Sequence, residues 1–210
     1  MKTLRRWLRP LKRWFNRTLR IEAGIFLSKP IEQNNPADKD DSVTVTDMTD
    51  MAELRQDLPF SEKEFKRRVR EGHRFFELFV DREPVSYNWV ACTGATIGIL
   101  HDLRLRVPEN ALYLWDGATT PEHRGKGFLS VMINGILQNL SHKTSIAWTA
   151  VAVSNKSSRR ALAKAGFEPM FTYVSVQLLG RTLLSFVIRE GKLAKAQPVF
   201  DRLANEPVSV

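Results

Sequence analysis

The run Arg124-Gly125-Lys126-Gly127 constrains the fold of this chain more than any other stretch. It follows the strand-like Leu112-Tyr113-Leu114-Trp115. It precedes residues 128–140, where Leu129, Met132, Ile133, Ile136, Leu137 and Leu140 recur at helical spacing. A strand, a tight turn and a helix in that order predict a layered α/β arrangement. Two nearby glycines admit backbone conformations closed to other residues and let the chain approach a ligand closely. The helix that follows presents unpaired N–H groups and the positive end of its dipole, a setting for a phosphate.

A second element follows downstream, where Val151 leads to Asn155, Ser158 and then Gly166-Phe167. The two elements together resemble the GNAT superfamily of acyl-CoA-dependent N-acyltransferases. That signature is Gln/Arg-x-x-Gly-x-Gly/Ala, with a later Asn opening the next helix. Arg124 takes its first position and Gly127 its fourth, while Leu129 stands at the sixth in place of Gly or Ala. The resemblance covers residues 74–179. It implies a mixed α/β fold, a central mixed sheet of about six to seven strands flanked by helices, with acetyl-CoA as co-substrate and no metal. It further implies that main-chain groups around Gly117, Ala118 and Thr119 hold the pantetheine arm and polarise the thioester carbonyl. The turn from Arg124 through Gly125, Lys126, Gly127 and Phe128 to Leu129 would cradle the pyrophosphate, with Asn155 across the opening and Ser158 beside it. Lys126, Lys156, Arg159 and Arg160 are candidates for the outer phosphates, or simply exposed helix charge.

Acyl transfer to an amine needs a base, because an alkyl ammonium cannot attack until it loses a proton. Asp116 is the first candidate, an ionisable residue in an otherwise apolar strand. The competing reading makes it a partner for a neighbouring Arg or backbone group. Many members of the resembled family carry a Tyr where this chain has Leu162. Tyr173, Ser158 or water are the substitutes for protonating the leaving thiolate, or it departs unprotonated, since a thiol pKa is about 8.5. Glu122 and His123 precede the turn and are expected to face solvent. His73, His101 and His142 show no metal-ligand spacing. The single cysteine, Cys92, excludes an internal disulfide and reads as a small packed residue.

Charge is concentrated at one end. Residues 1–20 carry eight cations and no acid, against a net charge of +9 for all 210 residues. The basic balance therefore describes an arm rather than the body, and nucleic acid is not the expected partner. Leu4, Trp7, Leu8, Leu11, Trp14, Phe15 and Leu19 recur at helical intervals between those cations, with Pro10 interrupting. A basic amphipathic helix of this kind suits an anionic membrane surface; packing on its own domain, or a transit peptide, are the alternatives.

These signals divide the chain into a basic amphipathic arm (1–30), a polar linker (31–41), an acyltransferase-like domain (42–189) and a tail (190–210) carrying a short helix. Within the domain, Ser61 and Glu64 form a capping box, and Phe60, Phe65 and Arg68 are candidate acceptor contacts. A short helix is expected over 50–56, a hairpin over 74–93 and a closing pair of strands over 167–188, the second of which also reads as helix. The expected function is N-acetyl transfer to an amine of a small molecule, an amino sugar or membrane-proximal precursor among the options, in the cytoplasm or peripherally at an inner membrane face. A non-catalytic module of the same fold that binds a coenzyme or a partner, docked through its basic arm, is the alternative. Oligomeric state is not legible.

Overall fold

The computed structural model describes residues 19–31, 42–51, 54–100, 103–179 and 181–205. Most of the expected arm, nearly all of the linker, His101 and the last five residues lie outside them. The elements in order are β1 (Leu19–Pro30), β2 (Val43–Asp47), α1 (Glu62–Arg70), β3 (His73–Val80), β4 (Glu83–Ala91), β5 (Thr96–Leu100), β6 (Leu103–Arg106) and β7 (Ala111–Thr119). They continue with α2 (Phe128–Leu140), β8 (Ile146–Ala152), α3 (Lys156–Lys164), β9 (Glu168–Leu178), β10 (Arg181–Arg189), β11 (Lys192–Lys195) and α4 (Ala196–Asn205). Nine strands form one sheet in the order β11-β10-β9-β1-β8-β7-β4-β3-β2, and β5 pairs with β6 apart from it. Only β7 and β8 run parallel.

Side chains alternate across the sheet as strand geometry demands. Leu27, Phe76, Leu112 and Leu114 point to the face covered by α2 and α3, where Met132, Ile133, Ile136 and Leu162 meet them. Phe26, Tyr113, Trp148 and Phe171 point to the opposite face, closed by the β5–β6 hairpin and by Phe200 of α4. On that second face α1 lays Phe65 over Phe75 and Trp89. Fully burying an aromatic or aliphatic side chain of this size stabilises by about 1.5–3 kcal/mol, which ties each helix to its strands. Gln197 fixes α4 to β6 with a reciprocal pair of bonds, donating to the Arg104 carbonyl at 3.0 Å and accepting from the Arg104 N–H at 3.1 Å.

The structure departs from the sequence reading at the arm. Its last twelve residues are not part of an amphipathic helix: Leu19–Pro30 is β1, held between β8 and β9. The folded unit thus includes Leu19–Pro30, well ahead of Ser42. Residues 1–20 share a helical period that runs into β1 with no break, and the strand's partners are remote in sequence. The described part of 50–56 holds turn and irregular backbone instead of a helix. The second closing run is strand β10, which pairs with β9 over nearly its whole length. The tail contributes β11 as well as a helix.

Candidate active site

The site begins where the parallel pair comes apart. β7 and β8 are in register from Ala111 and Ile146 only as far as Leu114 and Thr149. The Thr149 hydroxyl donates to the Leu114 carbonyl at 3.0 Å and closes the paired stretch. Beyond it β7 stays with β4, and β8 stays with β1. The gap between them exposes main-chain edges that no strand occupies.

A bulge turns β7 at the same level. Trp115 pairs with Trp89 and Ala118 with Tyr87, so Asp116 and Gly117 together face Asn88. Asp116 has φ +44°, a left-handed conformation that costs a residue with a side chain about 1–2 kcal/mol. At Gly117 a Cβ would run into the Asn88 carboxamide oxygen, so the bulge needs glycine there. Ser86 fastens the strand past the bulge by donating its hydroxyl to the Ala118 carbonyl at 2.9 Å.

A cleft of about 760 Å³ opens between the end of β7 and the starts of α2 and α3. The structure brings together on its wall the residues expected to hold the pantetheine arm and the pyrophosphate. Ala118 and Thr119 come from β7, Arg124, Gly125, Lys126, Gly127, Phe128 and Leu129 from the turn and α2, and Asn155 and Ser158 from α3. Gly125 and Gly127 have φ +78° and +86° with open space around them, so their need for glycine is conformational. Gly127 occupies the N-cap of α2 and no side chain caps the helix, which leaves its first N–H groups to a ligand or to water. Arg124 folds back and donates from Nε to the Thr119 carbonyl at 3.1 Å. Leu129 lies half-buried against the core within the helix, where a side chain meets no backbone restriction. α3 differs: Asn155 caps it, accepting on Oδ1 from the Ser158 N–H at 3.1 Å and from the Ser157 hydroxyl at 3.0 Å. Of the other cations, Lys126, Arg160 and Lys164 line the cleft, while Lys156 and Arg159 do not.

The far side of the gap is walled by side chains. Arg68 of α1 donates from Nη1 to Asp116 Oδ2 at 2.5 Å and from Nε to Glu64 Oε1 at 2.9 Å. Its guanidinium carbon lies 4.5 Å from the ring centroid of Trp115, 5.1 Å from Trp89 and 5.2 Å from Phe60. Arg67 and Arg68 hold the Glu64 carboxyl down at about 2. Tyr87 is pushed up by burial and by the Asp116 carboxylate. His73 is buried beside Trp115, its Nδ1 has no partner among the described residues, and burial pushes it below the usual imidazole value. Buried Glu77, which sequence reading passed over, is pushed up by burial and sits 3.2 Å from Arg55. Its signal was an acid inside the apolar run Arg74-Phe75-Phe76-Glu77-Leu78-Phe79.

One expected contributor stands elsewhere. Tyr173 does not line the cleft: its ring lies over Gly24 and beside Phe200 in the core, and burial raises the phenol to about 12. Leu162 is buried in the core under α3. His123 was expected in solvent but is half-buried on the cleft wall, its Nδ1 2.9 Å from the Thr120 hydroxyl, while Glu122 is exposed. Among the described residues no group of His, Cys, Asp and Glu is placed to hold a metal ion.

Residues 46–167 match the model of the acetyltransferase (GNAT) family. The chain belongs to that family. Two solved GNAT-family structures are similar to it. One from Novosphingobium aromaticivorans is 17% identical with a TM-score of 0.50, the match covering 77% of this chain and 66% of that one. A GCN5-related N-acetyltransferase from Kribbella flavida is 11% identical with a TM-score of 0.48, covering 80% of this chain and 63% of that one. This GNAT chain therefore spans less than two thirds of the length of these structures. No curated protein sequence matches it.

Proposed function

We propose that this GNAT-family chain transfers an acetyl group from acetyl-CoA to an amine of a small molecule, with an amino sugar or a membrane-proximal precursor as the acceptor class. One observation carries the reading: an uncapped, glycine-led helix start and a split strand pair open onto the same cleft. Acetyl-CoA, when bound, supplies an acetyl group activated as a thioester. The free N–H groups at the start of α2 suit a pyrophosphate, and Lys126 and Arg160 bring opposite charge to it. The unpaired edge of β7 at Gly117 and Ala118 positions the carbonyl and donates to the charge that develops on its oxygen. Asp116 takes the proton that the acceptor ammonium sheds, and Arg68 fixes its carboxylate.

A non-catalytic module is the second reading, favoured by Leu162 and Tyr173 both lying in the core. Calorimetry with acetyl-CoA followed by thiol release over a panel of amines separates the two. Uptake with turnover on at least one amine supports the enzyme. Uptake without turnover supports the module, and no uptake removes both. Residues 1–20 suit an inner, cytoplasmic membrane face by their charge. No helix among the described residues is long and apolar enough to cross a membrane.

A further inference from the structure

Among the described residues, the half of the sheet beyond the cleft is covered on one face only. α4 closes one side of β9 and β10 through Ala196 and Phe200, which meet Phe171, Tyr173 and Val187. On the other side the strands bring apolar residues into cross-strand rows. Ile21, Val176 and Leu184 form one row, and Ile25, Thr172, Ile188 and Leu193 another. On this side α2 packs chiefly on α3 and on β2, β3, β4 and β7. In these rows Ile21 is 65% exposed, Leu184 49%, Ile188 38% and Leu193 69%, while Ile25 is half-buried against the core. A monomeric protein seldom leaves so continuous an apolar sheet face uncovered without using it.

Charge selects the occupant. By strand alternation Arg181, opposite Leu178, and Lys195, opposite Phe186, lie on this open face, whereas Arg189 and Lys192 line a pocket with Val199 and Arg202 of α4 on the closed one. The sequence entering β1 at Leu19, beside Ile21, adds seven more cations and no acid over residues 1–17. A second copy laid on this face would bring like-charged rims together, which opposes association. An anionic bilayer takes the apolar rows among its acyl chains and meets the rim with its headgroups.

We infer that the open face of β1, β9, β10 and β11 docks this protein on an anionic lipid surface. The inference stands apart from acyl transfer, since none of these residues lines the coenzyme cleft. It also assigns membrane contact to the folded sheet, beyond the basic arm.

The test is flotation of the full chain with vesicles of phosphatidylcholine alone and of phosphatidylcholine with phosphatidylglycerol. Binding is expected only to the anionic vesicles and is expected to weaken with salt. The double variant Ile21→Asn, Leu184→Asn is expected to bind about tenfold more weakly. Arg181→Gln and Lys195→Gln are each expected to cost roughly fivefold. Thermal melting and acetyl-CoA uptake report that each variant is folded, and Leu193→Asn replaces the double variant if that one is not. Parent-like binding by the folded apolar variant overturns the inference and leaves the arm as the sole contact. A dimer in light scattering that Leu184→Asn converts to a monomer overturns it in favour of a second copy.

Discussion

The two sides of the strand split are made of different material. On the coenzyme side the wall is largely main chain: the β7 edge, two left-handed glycines and an uncapped helix start. On the other side it is side chain, with Arg68 and Asp116 paired inside a nest of Phe60, Tyr87, Trp89 and Trp115. Backbone donors recognise a phosphate or a carbonyl whatever else the molecule carries. Side chains recognise one shape and one charge. Under the proposed function the main-chain wall serves the cofactor and the side-chain wall the acceptor, and changes on either side then have separable effects.

Asp116→Asn tests the acceptor side hardest. Removal of the proposed base lowers kcat about a hundredfold while acetyl-CoA uptake by calorimetry stays at the parent value; an unchanged kcat returns Asp116 to a purely structural role. Gly127→Ala tests the cofactor side. Holding alanine at φ +86° costs about 1–2 kcal/mol, so uptake weakens roughly five- to thirtyfold or the melting point falls, and parent behaviour in both would show that the turn needs no glycine. Asn155→Ala sits between the two. It removes the cap of α3 and lowers unfolding free energy by about 1 kcal/mol in denaturant titration, with less effect on uptake than Gly127→Ala.

The smallest expected effect is in pH. Burial lowers His73 in the folded chain, so below about 6.5 the unfolded chain binds the additional proton. Stability from this group is complete above that value and declines as pH falls from there toward the lower folded value. His73→Gln flattens the acid side of a melting-point profile, whereas acetyl-CoA uptake, whose walls lack His73, keeps the same profile in both chains.

Legibility in the sequence followed locality. The turn, α2, β8 and the cap of α3 were readable because Arg124 to Gly127 and Asn155 to Ser158 act on neighbours within a few residues. The hairpin of β3 and β4 was readable for the same reason, its turn formed by Asp81 and Arg82, both at positive φ. β1 was not, because Gly24 pairs with Ala152 and Tyr173, and no nearby turn reports that pairing. Tyr173 suited an acid by residue type, but strand alternation sent it to the core face.

The sequence by itself determined the α/β character, the glycine-led helix start and the cap of the following helix, since each is settled by backbone preferences and hydrogen bonds between residues close in the chain. Only the tertiary structure decided that β1 joins the sheet, that Arg68 meets Asp116 across forty-eight positions of chain, and that one face of β9 and β10 stays open among the described residues. Those outcomes depend on which distant surfaces bury one another, and a linear pattern of residue types does not carry that pairing.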